Sequence, residues 1–133
     1  MRTQTMYQVD AFASELFSGN PAAVCILDTW LPEALMQSIA AENNLAETAF
    51  AVAGPDGYEI RWFTPEIEVA LCGHATLATA HILFETGKVT ADHIRFSSRK
   101  RGLLHVYRDE DWLILDFPAD SPVAVELPEV LSD

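Results

Sequence analysis

A short polar motif, Cys72-Gly73-His74-Ala75, stands where an apolar segment begins. The segment runs to Glu85 and is apolar on every face, which is typical of a helix buried inside a structure. The first backbone N–H groups of a helix have no partner within it and lie at the positive end of its dipole. The N–H groups of Gly73, His74 and Ala75 are therefore suited to bind an anion, such as a substrate carboxylate.

The two reactive side chains of this motif each allow two interpretations. The positive end of a helix should favour the neutral form of His74, which would then bind a substrate or transfer a proton, or else simply pack at the helix entry. Cys72 beside a helix N-terminus could have a lowered pKa and act as a base or nucleophile. A lone cysteine in an apolar segment is more often a small core residue.

Glu47 is the only acidic residue between Glu42 and Asp56, and apolar or small residues flank it. An enclosed carboxyl group in such a position can serve as a general acid or base. The alternative is a glutamate on an edge strand that faces solvent. We expect four other acids to be ordinary surface residues: Glu33, Glu42, Glu66 and Glu68.

Metal and nucleotide sites are not expected. Cys25, Cys72, His74 and His81 include possible ligands, but Cys-x-His-x6-His is not an established zinc spacing, and no carboxylate is adjacent in sequence. We interpret His81 as a core histidine. The chain has no Gly-rich phosphate loop and no serine elbow, so nucleotide cofactors and serine hydrolysis are not predicted.

Composition limits the class of protein. A chain of 133 residues with 50% hydrophobic residues suits one folded domain. The net charge of −12 argues against nucleic acid or an anionic membrane surface as a partner. Two cysteines make no disulfide framework, and neither a signal peptide nor an apolar run of spanning length is visible, so we expect a cytoplasmic protein.

The pattern predicts seven strands and two helices. One helix follows Pro32 and ends at Asn43-Asn44, with an apolar stripe at Leu35, Met36, Ile39 and Ala40; the other is the buried helix, with Gly87 after its end. The basic run 99–101 reads as a solvated turn. The predicted strands are 6–12, 22–27, 47–52, 58–63, 93–97, 103–107 and 112–117. This order favours an α+β fold, with a curled, mostly antiparallel sheet wrapped around the central buried helix.

Several motifs, taken together, resemble one family over nearly the whole chain. They are Val9-Asp10-Ala11-Phe12, Gly19-Asn20-Pro21-Ala22-Ala23-Val24, Asn44-Leu45-Ala46-Glu47-Thr48-Ala49-Phe50, Arg61-Trp62-Phe63-Thr64-Pro65, Cys72-Gly73-His74-Ala75-Thr76-Leu77-Ala78 and Leu115-Asp116-Phe117-Pro118. In order and spacing they resemble the phenazine-biosynthesis (PhzF-like) isomerases. The resemblance implies the diaminopimelate epimerase-like fold, which has two similar domains with the active site in the cleft between them.

The resemblance also implies roles for individual residues. It implies cofactor-independent proton transfer on a small carboxylate substrate, typified by isomerisation of a dihydro-hydroxyanthranilate. Glu47 would be the acid/base, His74 would bind and orient the substrate, and the N–H groups after Cys72 would hold its carboxylate. Asn20 of the Gly-Asn-Pro motif would join the substrate-binding residues. Cys72 falls where the related epimerases place a catalytic thiol, so an epimerase that uses Cys72 is a further alternative.

The chain departs from the family pattern in its length. Family members are roughly twice as long, and an Asp-x-Ala-Thr-Gly-Ser-Ala-type motif from their second half is missing here. We therefore expect residues 1–118 to form the N-terminal domain of a truncated or split isomerase, and residues 119–133 to form an acidic tail or the start of a linker. The alternative is a catalytically silent half-domain that acts as a dimer or binding module. A homodimer is expected in either case.

Overall fold

A computed structural model describes residues 5–9, 21–110, 112–116 and 123–126. This part of the chain forms two helices, α1 (Glu33–Asn43) and α2 (Gly73–Glu85), and nine strands. The strands are β1 (Met6–Val9), β2 (Ala22–Leu27), β3 (Glu47–Gly54), β4 (Gly57–Phe63), β5 (Glu68–Val69), β6 (His93–Ser98), β7 (Gly102–Asp109), β8 (Trp112–Asp116) and β9 (Val123–Glu126). Neither helix is long and apolar enough to cross a membrane.

The strands form one sheet in the order β1-β2-β3-β4-β6-β7-β8-β9, and β5 pairs with β4 beside this path. Two neighbouring pairs are parallel, β2 with β3 and β4 with β6, and the others are antiparallel. Each parallel pair is joined through a helix, α1 in the first case and α2 in the second, because parallel neighbours need a crossover connection. The sheet is thus mostly antiparallel, as predicted.

Helix α2 lies against β2, β3 and β8. Four strands separate β2 from β8 in the sheet. In a flat sheet these two strands would be roughly 24 Å apart, about twice the diameter of a helix with its side chains. The sheet must therefore curl for both strands to contact the same helix. This confirms the predicted α+β class, with a curled sheet around a central buried helix.

Strands β2 and β3 are covered on both faces. In β2, Ala22 and Val24 belong to the core around α2, while Cys25 and Leu27 belong to a second core beneath α1. A strand enclosed on both faces has no polar alternation, which explains the continuous apolar run at 22–27. The stripe predicted for α1 is correct only in part, because Met36 and Ala40 are buried but Leu35 is 45% exposed.

Most element ends agree with the sequence signals. Asn44 adopts the left-handed conformation at the end of α1 (φ 52°), and Gly87 does so after α2 (φ 75°), where its N–H donates to the Phe84 carbonyl. Strand β5 was not predicted, because two residues give no detectable alternation. Strand β9, which pairs with β8, lies in the segment predicted as a tail. Residues 10–12 of the first predicted strand lie outside the described residues, and the domain boundary after residue 118 stays a prediction.

Candidate active site

Glu47 is the first residue of β3, an interior strand between β2 and β4. In the parallel register it lies beside Ala22, and its side chain is 18% exposed. The neighbouring Thr48 accepts a hydrogen bond from the Asn43 amide (Nδ2–Oγ1 3.1 Å), which ties the end of α1 to the start of this strand. Glu47 is therefore not the solvent-facing edge residue that the sequence left as an alternative.

His74 lies in the first turn of α2 and is 8% exposed. Its Nε2 atom is 3.9 Å from Oε1 of Glu47, a separation too long for a hydrogen bond but within ion-pair range when the ring is protonated. Burial lowers the pKa of His74, while the Glu47 carboxylate acts in the opposite direction. The neutral form predicted for His74 is thus favoured, although burial is the main cause rather than the helix end.

Cys72 immediately precedes α2, with its sulfur 3.5 Å from Nδ1 of His74. Burial raises the pKa of the Cys72 thiol to about 12, and the nearby Glu47 carboxylate adds to the rise. The backbone N–H groups of Ala75 and His74 oppose it but do not prevail. Of the two interpretations of Cys72, the structure thus supports the small core residue over the thiol with a lowered pKa, since loss of water around the sulfur outweighs the favourable dipole.

Donor atoms of Glu47, Cys72 and His74 all lie within 4.8 Å of one another. This brings together a carboxylate and the two motif residues, which adjacency in the sequence could not show. The cluster could therefore offer ligands to a metal, which would have to displace the proton of the Cys72 thiol. The two ring nitrogens of His74 face different neighbours, the Cys72 sulfur and the Glu47 carboxylate. The carboxylate and the imidazole are groups that can exchange protons.

The other two possible metal ligands, Cys25 and His81, lie outside this cluster. Cys25 is buried in the core beneath α1, and burial raises its pKa to about 11. His81 is partly buried on α2, two turns beyond His74, and its pKa is lowered by burial. The chain's two cysteines therefore belong to different cores, and the expectation that the chain holds no metal stays a prediction.

Two buried hydrogen bonds of Thr76 order the start of α2: one joins it to the sheet, and the other lies within the first turn. The Trp62 indole on β4 donates to Thr76 (Nε1–Oγ1 3.0 Å), and the Thr76 hydroxyl donates to the Cys72 carbonyl (2.8 Å). Both residues lie in motifs of the sequence, but neither had a predicted role. The usable signal was the alternation in β4, which places Ile60 and Trp62 on the buried face, because a buried indole N–H needs an acceptor.

The backbone N–H groups predicted to bind an anion lie beside this cluster. The first N–H after them, that of Thr76, donates to the Cys72 carbonyl (3.1 Å) and so begins the hydrogen-bond ladder of the helix. Those of Gly73, His74 and Ala75 belong to the first turn, where a helix offers them no carbonyl partner, and those of His74 and Ala75 face the Cys72 sulfur. Asn20, the fourth predicted substrate-binding residue, lies outside the described residues, so its role stays a prediction.

Of the four acids predicted as ordinary surface residues, Glu68 is partly buried and bound by Arg61 of β4, which also binds the exposed Glu33. Its guanidinium donates two hydrogen bonds to Glu68 (both 2.7 Å) and one to Glu33 (2.6 Å). The paired cation lowers the pKa of Glu68 below its ordinary value. The network joins α1, β4 and β5. Glu42 and Glu66 are exposed, as predicted, and residues 99–101 lie in the turn between β6 and β7.

The chain matches known proteins in sequence and in structure. Residues 9–129 match the family described as phenazine biosynthesis-like protein (PhzC-PhzF). A Pseudomonas aeruginosa protein named as an uncharacterized isomerase is 56% identical over 119 residues, covering 90% of this chain and 45% of that protein.

Two solved structures support the same relationship. An Enterococcus faecalis protein of the PhzF family superposes with a TM-score of 0.77 at 54% identity, covering 84% of this chain and 43% of that one. A predicted epimerase from Pseudomonas aeruginosa superposes with a TM-score of 0.66 at 25% identity, covering 86% of this chain and 43% of that one. The chain thus spans less than half the length of these relatives. By sequence and fold, the chain belongs to the PhzC-PhzF family of phenazine biosynthesis-like proteins.

Proposed function

We propose that this chain forms one wall of the active site of an isomerase that moves a proton on a small carboxylate substrate by acid/base catalysis. The observation that carries the proposal is the meeting of the Glu47 carboxylate and the His74 imidazole at the N-terminus of α2. The names of the relatives agree with isomerase or epimerase chemistry. No cofactor is needed for a proton transfer of this kind.

Each group has a distinct part in the proposed reaction. Glu47 as a base takes a proton from one substrate carbon and, as the acid so formed, returns it to another carbon. Neutral His74 orients the substrate through a ring nitrogen. The backbone N–H groups of Gly73, His74 and Ala75 hold the substrate carboxylate and stabilise negative charge that develops near it. Asn20 is proposed as a further substrate contact.

Cys72 has no acid/base role in this proposal. With a pKa of about 12, its sulfur remains an S–H group at neutral pH and is a poor proton acceptor. Acid/base work therefore falls to Glu47, and we do not favour an epimerase that uses a Cys72 thiolate.

Wild-type chain and two variants test the proposal. The probe is a dihydro-3-hydroxyanthranilate in D2O, with loss of its carbon-bound hydrogen followed by NMR. We expect slow exchange with the wild type and none with Glu47→Gln, which keeps the size of the side chain but not its basicity. The matched control is Glu42→Gln, an exposed glutamate on α1, which should exchange at the wild-type rate.

Binding supplies a second measurement in the same samples. Added carboxylate should shift the backbone amide signals of Gly73, His74 and Ala75 in both the wild type and Glu47→Gln. Exchange that survives in Glu47→Gln would refute the assignment of the acid/base. Absence of both exchange and amide shifts in the wild type would show that this chain alone forms no such site.

The alternative, a silent half-domain that works as a homodimer or binding module, also has a specific observation in its favour. Leu103, Tyr107 and Trp112 are each about 40–50% exposed and lie on one face of β7 and β8. Grouped exposed apolar side chains often mark an interface. Light scattering decides between the states: a dimer that Trp112→Glu dissociates supports this interface, and a monomer at all concentrations contradicts it.

A further inference from the structure

Two histidines on neighbouring strands meet on the outer face of the sheet, away from Glu47 and His74. His93 of β6 and His105 of β7 approach with Nε2 and Nδ1 2.8 Å apart. Their rings are nearly parallel, at an interplanar angle of 14°, and the Tyr107 ring stacks on His93 with a centroid distance of 4.5 Å. Together with Asp56 and Arg95, both imidazoles line an open hollow of about 440 Å³.

We propose that His93 and His105 form a chelating site for a transition-metal dication that prefers square-planar geometry, namely Cu²⁺ or Ni²⁺. Metal–imidazole bonds of about 2.0 Å that meet at a right angle place their nitrogens about 2.8 Å apart, and a tetrahedral angle would require about 3.3 Å. The hydrogen bond between the rings already holds these nitrogens 2.8 Å apart. Rotation of the two rings at this separation would direct both lone pairs at two adjacent corners of a square plane, with water completing the coordination.

The hydrogen bond between the two rings is compatible with replacement by a bound metal ion. One nitrogen must carry the proton that the other accepts. The donating ring can offer this nitrogen to a dication once its proton has moved to its other ring nitrogen, which leaves both imidazoles neutral. Both rings lie toward solvent, where they have room to turn their lone pairs onto an ion.

The charges around the pair permit a cation. Arg95 of β6 lies directly opposite His105 in the sheet, and its ion pair with Asp56 of the β3–β4 turn (Nη2–Oδ2 3.0 Å) offsets part of its positive charge. Asp116 of β8 lies directly opposite His105 in the sheet and adds a negative charge on the same face. Tyr107 contributes a neutral ring. The net charge of −12 further attracts cations to the molecule.

Occupancy would have a structural effect. His93 and His105 belong to two different strands of one hairpin, so a shared ion would cross-link β6 to β7. A ligand that binds only the folded chain stabilises it by mass action, and the melting temperature should rise with metal concentration. The effect does not depend on the proposed isomerase reaction, because the pair is separate from Glu47, Cys72 and His74.

The test is a calorimetric titration of the full chain with CuCl2 or NiCl2, and with MgCl2 as the negative ion. We expect one Cu²⁺ bound per chain and no binding of Mg²⁺. His93→Asn and His105→Asn should each weaken Cu²⁺ binding by about tenfold or more, because each removes one corner of the chelate. Tyr107→Phe and His74→Asn should bind Cu²⁺ as the wild type does. Circular dichroism verifies that each variant is folded.

Electron paramagnetic resonance of the Cu²⁺-loaded wild type gives an answer without any variant. The hyperfine pattern should report two imidazole nitrogens, and one in His105→Asn. The proposal is overturned if wild-type binding is unsaturable, if it survives in both histidine variants, or if His74→Asn abolishes it. Both cysteines are buried, so native thiols should not capture the added ion.

Discussion

The carboxylate of Glu47 and the imidazole of His74 lie 3.9 Å apart (Oε1–Nε2), although one begins a strand and the other begins a helix. The relationship depends on the packing of α2 against β3, which brings the start of this strand to the N-terminus of the helix. It also makes the protonation of His74 sensitive to Glu47, because a nearby negative charge stabilises the imidazolium.

The first prediction concerns this coupling. Glu47→Gln removes the charge that raises the pKa of His74 and leaves burial, which lowers it. We therefore expect the His74 pKa, measured by NMR titration of the ring, to be lower in Glu47→Gln than in the wild type. Glu42→Gln, far out on the exposed face of α1, should leave the titration unchanged. A higher His74 pKa in Glu47→Gln would contradict the arrangement.

The second prediction concerns the thiols. Burial raises the pKa of Cys72 to about 12 and that of Cys25 to about 11, so the reactive thiolate is scarce at pH 8. Native protein should react with iodoacetamide about 100-fold or more slowly than free glutathione does, since each unit of pKa above the pH lowers the thiolate fraction tenfold. Unfolding in urea should expose two fast-reacting thiols. Rapid native labelling of Cys72, found by mass spectrometry, would restore the thiol-based alternative.

The third prediction concerns the hydrogen bond that seats α2. Thr76→Val keeps the shape of the side chain but leaves the buried Trp62 indole N–H without its acceptor. An unsatisfied buried donor costs roughly 1–3 kcal/mol, measured as the loss in free energy of unfolding in urea. Thr79→Val is the matched control, because the buried Thr79 hydroxyl only donates to the Ala75 carbonyl within the helix. Equal losses in the two variants would show that the indole contact contributes nothing.

The fourth prediction concerns pH and the Arg61 network. The pKa of Glu68 is lower in the folded chain than in the unfolded chain, so its ionisation contributes stability above the ordinary carboxyl pKa. That contribution is lost as the pH falls through the lowered value in the folded state. Glu68→Gln should therefore lower the unfolding free energy by roughly 1–2 kcal/mol at pH 7 and by much less at pH 3.

Exposed Glu66 provides the control for this measurement. Glu66→Gln should follow the wild-type pH profile, which is obtained from urea unfolding at a series of pH values. A Glu68→Gln profile parallel to that of the wild type would show that the pair with Arg61 does not stabilise the fold.

Sequence signals that lie within one segment predict helix ends and helix burial correctly. Asn44 and Gly87 mark helix ends because few other residues adopt a positive φ, and the all-apolar face of α2 predicted a helix enclosed by a sheet. The two missed strands are short, and strand β5 exists mainly through its pairing with β4. The residues of a strand do not show which other strand it pairs with, so a strand as short as β5 cannot be predicted from its own sequence.

The site divides in the same way. Glu47 and His74 could be chosen by type and by family resemblance, but the residues around Glu47 alone favoured a solvent-facing edge position, and Glu68 was predicted as a surface acid. Only the neighbouring elements corrected both: β3 is an interior strand, and the Arg61 guanidinium binds Glu68. The two interpretations of Cys72 were separated in the same way, because a motif reveals the helix end but not the depth of burial.

By itself, then, the sequence determined both helices, seven of the nine described strands, the α+β class, the helix that lies inside and the side chains capable of proton transfer, since periodicity, capping residues and side-chain chemistry are local. Strand register decided that His93 meets His105. Tertiary structure alone decided that Glu47, Cys72 and His74 meet within 4.8 Å and that the Cys72 thiol remains protonated, because distance and desolvation are set only when α2 packs against the sheet.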